Sequence, residues 1–204
     1  MGTKDRKLRE KEQLREQILK AAREIFFEKG FQDTSIRNIA DRIEYSPGTI
    51  YLYFKDKDAI FHELHKEGFQ LLRKNKMQVL QHIEDPFERL IAMGKGYLEF
   101  ARENPDYYDL MFIITNPMEA LEDKECWQEG QTAFDILVQV VADCIQQGRF
   151  QGHNAENLAY TIWSAMHGMV TINIRGRCMV ITEDKRDHIT SLGMETLVML
   201  LEKS

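Results

Sequence analysis

Residues 30–57 read GFQDTSIRNIADRIEYSPGTIYLYFKDK, and their apolar positions leave few ways to fold. Ile36, Ile39, Ala40 and Ile43 recur at helical spacing and form one stripe. Thr34 or Ser35 can cap that helix, with Asp33 nearby at its start. Ser46 followed by Pro47 reads as an N-cap and first position of a second helix. Ile50 and Phe54, four apart, give the second helix an inward face. Ala40 is small where the two helices approach most closely. The spacing predicts helices over 35–43 and 47–54 joined by a short turn, a helix-turn-helix.

In such a unit the second helix enters the DNA major groove and the first crosses the backbone. Thr49 and Tyr51 point away from Ile50 and can reach base edges or sugar-phosphate. Pro47, Gly48 and Leu52 allow close approach and apolar contact with thymine methyls. Lys57 is expected to begin a fourth helix, where backbone N–H groups and a positive charge both favour a phosphate.

These residues carry a family resemblance. Lys29-Gly30-Phe31, Thr34-Ser35-Ile36-Arg37-Asn38-Ile39-Ala40 and Ser46-Pro47-Gly48-Thr49-Ile50-Tyr51-Leu52-Tyr53-Phe54, followed by Lys55-Asp56-Lys57-Asp58-Ala59-Ile60-Phe61, occur in this order. The segment resembles the DNA-binding domain of tetracycline-repressor (TetR) family transcription regulators. The resemblance covers about 50 residues and implies DNA contact by Ser35, Arg37, Ser46, Pro47, Gly48, Thr49, Tyr51, Leu52, Tyr53 and Lys57. One departure is the turn, Ile43-Glu44-Tyr45-Ser46 where the family usually has Ala-Gly-Val-Ser. A positive φ would cost Glu44 roughly 1 kcal/mol relative to glycine.

A net charge of −6 over 204 residues at first opposes DNA binding. Its distribution removes the objection. Residues 1–57 carry 13 Lys and Arg against 10 Asp and Glu, and the remainder carries 14 against 23. The basic excess lies in the part that holds the motif, as DNA contact requires. The N-terminus is charged (Lys4, Asp5, Arg6, Lys7) and lacks the apolar core of a signal peptide. The sequence contains no uncharged apolar run of membrane-spanning length, so no membrane span is expected. Cys126, Cys144 and Cys178 are widely spaced without a CxxC, which fits a reduced cytoplasmic setting and no zinc site.

The rest of the chain reads as helices. The first is expected over about 10–29, stopped by Gly30. Others follow over about 57–83, 86–103, 106–114, 132–147, 155–174 and 185–202, with 115–130 and 175–185 as loops or frayed ends. The fold is therefore all-α: a three-helix head over 1–57 and a helical domain over 58–204. The 57–83 helix would join the head to the rest.

Two features of the second domain point to a small molecule. Trp163-Ser164-Ala165-Met166-His167-Gly168 resembles the Trp-x-x-x-His-Gly pattern of one TetR-type C-terminal subgroup. Trp163 and His167, four apart, share a helix face. They either line a cavity or form a core histidine on a tryptophan, with Gly168 allowing close packing. Tyr97, Phe100, Tyr107, Tyr108, Met111, Phe112 and Phe134 could line the same cavity or be ordinary core. Apolar walls with a few polar tips suit an aromatic or lipid-like effector.

Enzyme signals are weak. Gly94-Lys95-Gly96 lacks the upstream glycine and following hydroxyl residue of a P-loop, and neither GxSxG nor HExxH occurs. His62 and His65 read as solvated rather than as a metal pair. The acidic run Glu119, Glu122, Asp123 and Glu125 reads as a solvated loop face.

The sequence thus predicts no enzyme and no cofactor. It predicts a cytoplasmic homodimeric regulator, most readily a repressor released from a pseudo-palindromic operator by a mainly apolar molecule. The resemblance implies a dimer interface on the last two helices, where Leu158, Ile162, Met169, Ile189, Leu192, Leu197 and Leu200 are apolar; the alternative is that these residues only close the core of the single subunit. The rival readings are a helical small-molecule-binding or enzymatic protein that no longer binds DNA, and an adaptor acting through protein contact alone.

Overall fold

The computed structural model describes residues 3–80, 82–114 and 128–203. The described residues form helices and no strands: α1 (Thr3–Lys29), α2 (Ile36–Arg42), α3 (Pro47–Tyr51), α4 (Lys57–Leu80), α5 (Pro86–Glu103), α6 (Pro105–Phe112), α7 (Gln128–Gln146), α8 (Ala155–Ile174) and α9 (Glu183–Leu201). A 3₁₀ turn, Cys178–Val180, interrupts the expected loop before α9. Among the described residues no helix is long and apolar enough to cross a membrane. Cys126 and the acidic run at 119–125 lie outside the described residues. Cys144 and Cys178 are buried free thiols, and burial raises the Cys144 thiol to about 11.

The chain divides into two compact units. One comprises Met1–Gly68 and Asp106–Cys126, the other Phe69–Pro105 and Trp127–Ser204. The first unit therefore takes in the start of α4 and nearly all of α6. Ile18, Ala22, Ile25 and Phe26 of α1 are buried with Ile39, Ile50, Phe61 and Leu64. Phe26, Phe31 and Phe61 form a triangle of rings with centroids 5.1–5.8 Å apart, a spacing at which aromatic pairs attract. A Cβ at Gly68 would lie 2.5 Å from Met111 Sδ and 3.2 Å from Tyr107 Cδ1, so α6 seats on α4 where the side chain is absent. Arg23 fixes the same helix: its guanidinium is 2.7 Å from Asp106 and 4.4 Å from the Tyr107 ring centre.

The second unit has its own core. Phe87 and Leu90 of α5, Val140, Val141 and Cys144 of α7, and Ala159 and Ile162 of α8 are buried together around Phe150. Asp85 caps α5 by accepting from Glu88 N, with Pro86 at the first position, and Asn154 caps α8 by accepting from Asn157 N. A Cβ at Gly193 of α9 would stand 2.9 Å from Met169 Sδ, and one at Gly94 of α5 would stand 2.8 Å from Met194 Cε. These glycines set the approach of α9 to α8 and α5. Gly168, which would serve close packing on the core reading of Trp163 and His167, has nothing within 4 Å of where its Cβ would be.

Candidate nucleic-acid interface

The helix-turn-helix is built by its caps. Ser35 Oγ accepts from Asn38 N, and Asn38 Oδ1 accepts from Ser35 N, a reciprocal capping box. Thr34 turns back instead and donates to Gly30 O. Ser46 Oγ accepts from Thr49 N at 3.2 Å and lies 3.0 Å from Thr49 Oγ1. That pairing fixes both hydroxyls at the start of α3.

Between the helices Glu44 has φ 61°. Tyr45 N donates to Ala40 O and Glu44 N to Asp41 O, the paired bonds of a helix end that normally places glycine where Glu44 stands. The turn therefore keeps its usual shape, with the side-chain strain of about 1 kcal/mol retained.

Helix α3 ends at Tyr51, earlier than expected, and continues as a turn in which Tyr53 N and Phe54 N both donate to Ile50 O. Ile50 is fully buried and Phe54 is 7% exposed, whereas Tyr51 and Leu52 are 56% and 78% exposed. Gly48, Tyr51 and Leu52 thus share the outward face opposite Ile50. Pro47 and Ser46 are exposed beside them, as are Ser35 and Arg37 on the first helix. Thr49 and Tyr53 are half-buried on the flanks. Tyr45, 45% exposed in the turn, joins this surface. Sequence reading passes over it.

Two basic residues are used inside the head. Arg42 pairs with Glu24 and Glu28 on α1, and its hydrogen bond holds the Glu28 carboxyl below its usual range. Lys57 corrects an expectation. Its Nζ donates to Phe31 O at 2.6 Å and Thr34 O at 2.7 Å and sits 4.1 Å from the Phe31 ring centre. Burial lowers its pKa. Asp56 Oδ1 accepts from Ala59 N at the start of α4. The ammonium thus closes the turn between α1 and α2, and a carboxylate takes the helix-start donor expected to hold a phosphate.

The residues expected to line an effector cavity fall into two groups. In the second unit Tyr97 Oη lies 3.3 Å from His167 Nδ1. Trp163 contacts His167 and Phe134, with centroids 5.7 and 6.1 Å apart. Burial lowers the pKa of His167 and so favours its neutral form. Phe100 is 4% exposed in this unit. Tyr107, Tyr108, Met111 and Phe112 belong to the first unit. There Tyr107 is held by Arg23 and Glu67, and burial raises its phenol; Tyr108 packs on Phe112 at 5.0 Å. A groove of about 960 Å³ opens between α5, α8 and α9, lined by Leu98, Val170, Ile174, Met194 and Met199 with a charged rim. None of the residues expected to line the cavity borders it.

Residues 18–64 match the family model of bacterial regulatory proteins of the tetR family, and residues 90–197 match that of a tetracyclin repressor-like C-terminal domain. The chain is 27% identical over 157 residues to the HTH-type transcriptional regulator HbdR of Aromatoleum sp. (strain CIB), covering 76% of this chain and 68% of HbdR. It is 31% identical over 149 residues to the uncharacterized HTH-type transcriptional regulator YfiR of Bacillus subtilis (strain 168), covering 70% and 68%. Among solved structures, AibR in complex with isovaleryl coenzyme A and operator DNA matches with a TM-score of 0.72 over 92% of this chain and 97% of AibR, at 17% identity. At that identity the likeness is one of fold.

Proposed function

Because the chain belongs to the tetR family of bacterial regulatory proteins, we propose that it is a homodimeric repressor released from its operator by a mainly apolar small molecule. The observation that carries the DNA part is the outward face of α3. Gly48, Tyr51 and Leu52 are held rigidly by the Ser46 cap on one side and by buried Ile50 on the other. A short helix locked in this way presents the same side chains to each base step without ordering cost. In this reading Arg37, Ser35 and Ser46, all exposed, contact the flanking backbone, and Tyr45 extends the reach past the turn.

Selection from genomic fragments should enrich a pseudo-palindrome, since two-fold protein symmetry calls for a matching site. Tyr51→Ala or Thr49→Ala should weaken binding to that site by about 1–3 kcal/mol for each base contact removed, while leaving random duplex binding unchanged. Selection that enriches no duplex at low salt would sink the reading.

The effector part rests on the Tyr97–His167 contact and the Trp163 ring beside it. A neutral imidazole and a phenol supply the two polar tips, and Phe134 and Trp163 supply apolar wall. AibR, whose fold is similar, is bound to an acyl coenzyme A, which supports a ligand with an apolar acyl part. An effector found by thermal shift should weaken operator binding by roughly 5–150-fold, the range of ordinary allosteric coupling. Trp163→Ala and His167→Ala should abolish that response with effector-free operator binding nearly intact. Unchanged responses in both variants would return the pair to a purely packing role.

A further inference from the structure

The head's basic excess does not lie on the helix-turn-helix. Residues 12–57 carry eight Lys and Arg and eight Asp and Glu. Residues 1–11 carry five and two. The whole surplus therefore sits on the first turns of α1, upstream of the motif.

Those turns are helical from Thr3, earlier than the sequence pattern predicts, and residues 4–13 are exposed without exception. They bury nothing that explains their order. The surplus is also sorted by face. Ile18, Ala22 and Phe26 are the buried stripe of α1. Followed toward the N-terminus at the same helical spacing, that stripe continues through Arg15 to Lys11, Leu8, Lys7 and Lys4. Arg15 is occupied: its guanidinium is 2.7 Å from Glu63 and 5.5 Å from the ring centre of Phe54, three residues past the end of α3. On other faces Arg6 pairs with Glu10, and Arg9 donates to Asp5 O. Among the described residues no ion pair involves Lys4, Lys7 or Lys11.

We propose that Lys4, Lys7 and Lys11 form a second DNA contact, an arm that grips the phosphate backbone flanking the half-site read by α3. Arg15 places the root of the arm beside the end of the recognition segment. At 1.5 Å per residue, Lys11 and Lys4 lie about 6 and 16 Å further along the axis. The arm adds the long-range electrostatic attraction that the charge-neutral motif lacks, and it does so without reading bases. Exposed Leu8, 69% accessible on the same stripe, packs against sugar edges in this arrangement.

The inference rests on the regulator reading, and the test separates the two. The probe is the operator duplex recovered by genomic selection, titrated over a range of salt. The triple variant K4Q/K7Q/K11Q should bind more weakly at low salt. Its slope of log affinity against log salt should be shallower than wild type by about 5.4 for the dimer, at about 0.9 for each of the phosphates that three lysines in each of two arms no longer neutralise. K20Q/K66Q/K74Q removes the same charge from exposed positions outside the first turns of α1 and should retain nearly the wild-type slope. Trimming the duplex to the two half-sites should give the wild type the slope of K4Q/K7Q/K11Q. Equal slopes in wild type and K4Q/K7Q/K11Q overturn the arm alone, as do equal losses in the two triple variants. A wild type that selects no duplex overturns the regulator reading beneath it. Glutamine keeps the helix propensity of lysine, and far-ultraviolet circular dichroism confirms that the turns persist.

Discussion

Leu192→Glu is expected to turn the protein from a dimer into a monomer at tens of micromolar, measured by sedimentation equilibrium. In the single subunit Tyr160 and Ile172 of α8 and Leu192 and Met199 of α9 are 47–59% exposed. On α9, Ile189, Leu192, Thr196 and Met199 recur at i, i+3, i+7 and i+10, the seam of a helix meant to pack against another. On α8, Ser164 is exposed and Gly168 faces open space, which lets a partner helix approach closely. A two-fold interface doubles every substitution. A carboxylate buried there without a partner costs several kcal/mol, about 3–5 for each copy. A loss of that size is enough to abolish the dimer. A monomer reads half of a pseudo-palindrome, so operator affinity should collapse with α3 untouched. Phe27→Glu, at an exposed apolar position of α1, should remain dimeric. A Leu192→Glu protein that sediments as wild type would refute the interface.

Choosing Leu192 depends on what the sequence could not reveal. Apolar periodicity marks both faces of α8 and α9 alike. The expected interface therefore mixes Ile162, which is 7% exposed within the subunit core, with Leu192, which is not. A charge at Leu197, half-buried in its own subunit, would test the core as well as the dimer.

Local rules carry further. The Ser46-Pro47, Asp85-Pro86 and Asn154 starts all follow from residues within one turn of the cap, and α5 and α8 have the expected bounds. The buried faces of α2 and α3 are legible for the same reason, since Ile36, Ile39 and Ile50 encode them by spacing alone.

Decisions made by tertiary contact are hidden. Lys57 looks like a surface cation until Phe31 O and Thr34 O are brought beneath it from 26 and 23 residues away. The aromatic run at 107–112 looks continuous with Tyr97 and Phe100. Arg23 and the bare surface at Gly68 instead seat it in the first unit. The first turns of α1 lack apolar periodicity, so pattern reading starts the helix at about residue 10. Helix propensity and the Arg6–Glu10 pair continue it back to Thr3.

His65 is likewise expected from the sequence to be a solvated side chain, and its burial gives the second large effect. It is 2% exposed on α4, stacked against Phe61 with centroids 6.4 Å apart. Burial, reinforced by His62 one turn earlier, lowers its pKa from 6.5 to about 4. The folded head therefore favours the neutral ring, and the unfolded chain binds the proton first as pH falls. Stability from this group is fully present above pH 6.5. It declines through the window between 6.5 and 4 and is gone below it. At 1.36 kcal/mol per unit, the loss is about 3 kcal/mol. Urea unfolding at pH 7 and pH 4 should show it as a difference between proteins, because acidic residues titrate in both. His65→Leu keeps an apolar group of similar size and should lose about 3 kcal/mol less than wild type over that interval. If the two proteins weaken in parallel, the imidazole is protonated without cost in the folded head, and burial has not set its charge. If they diverge as expected, acid loosens the packing of α4, through Phe61, on Phe26 and Phe31 beneath the DNA-binding helices, and operator binding should fall more steeply over the same pH window in wild type than in His65→Leu.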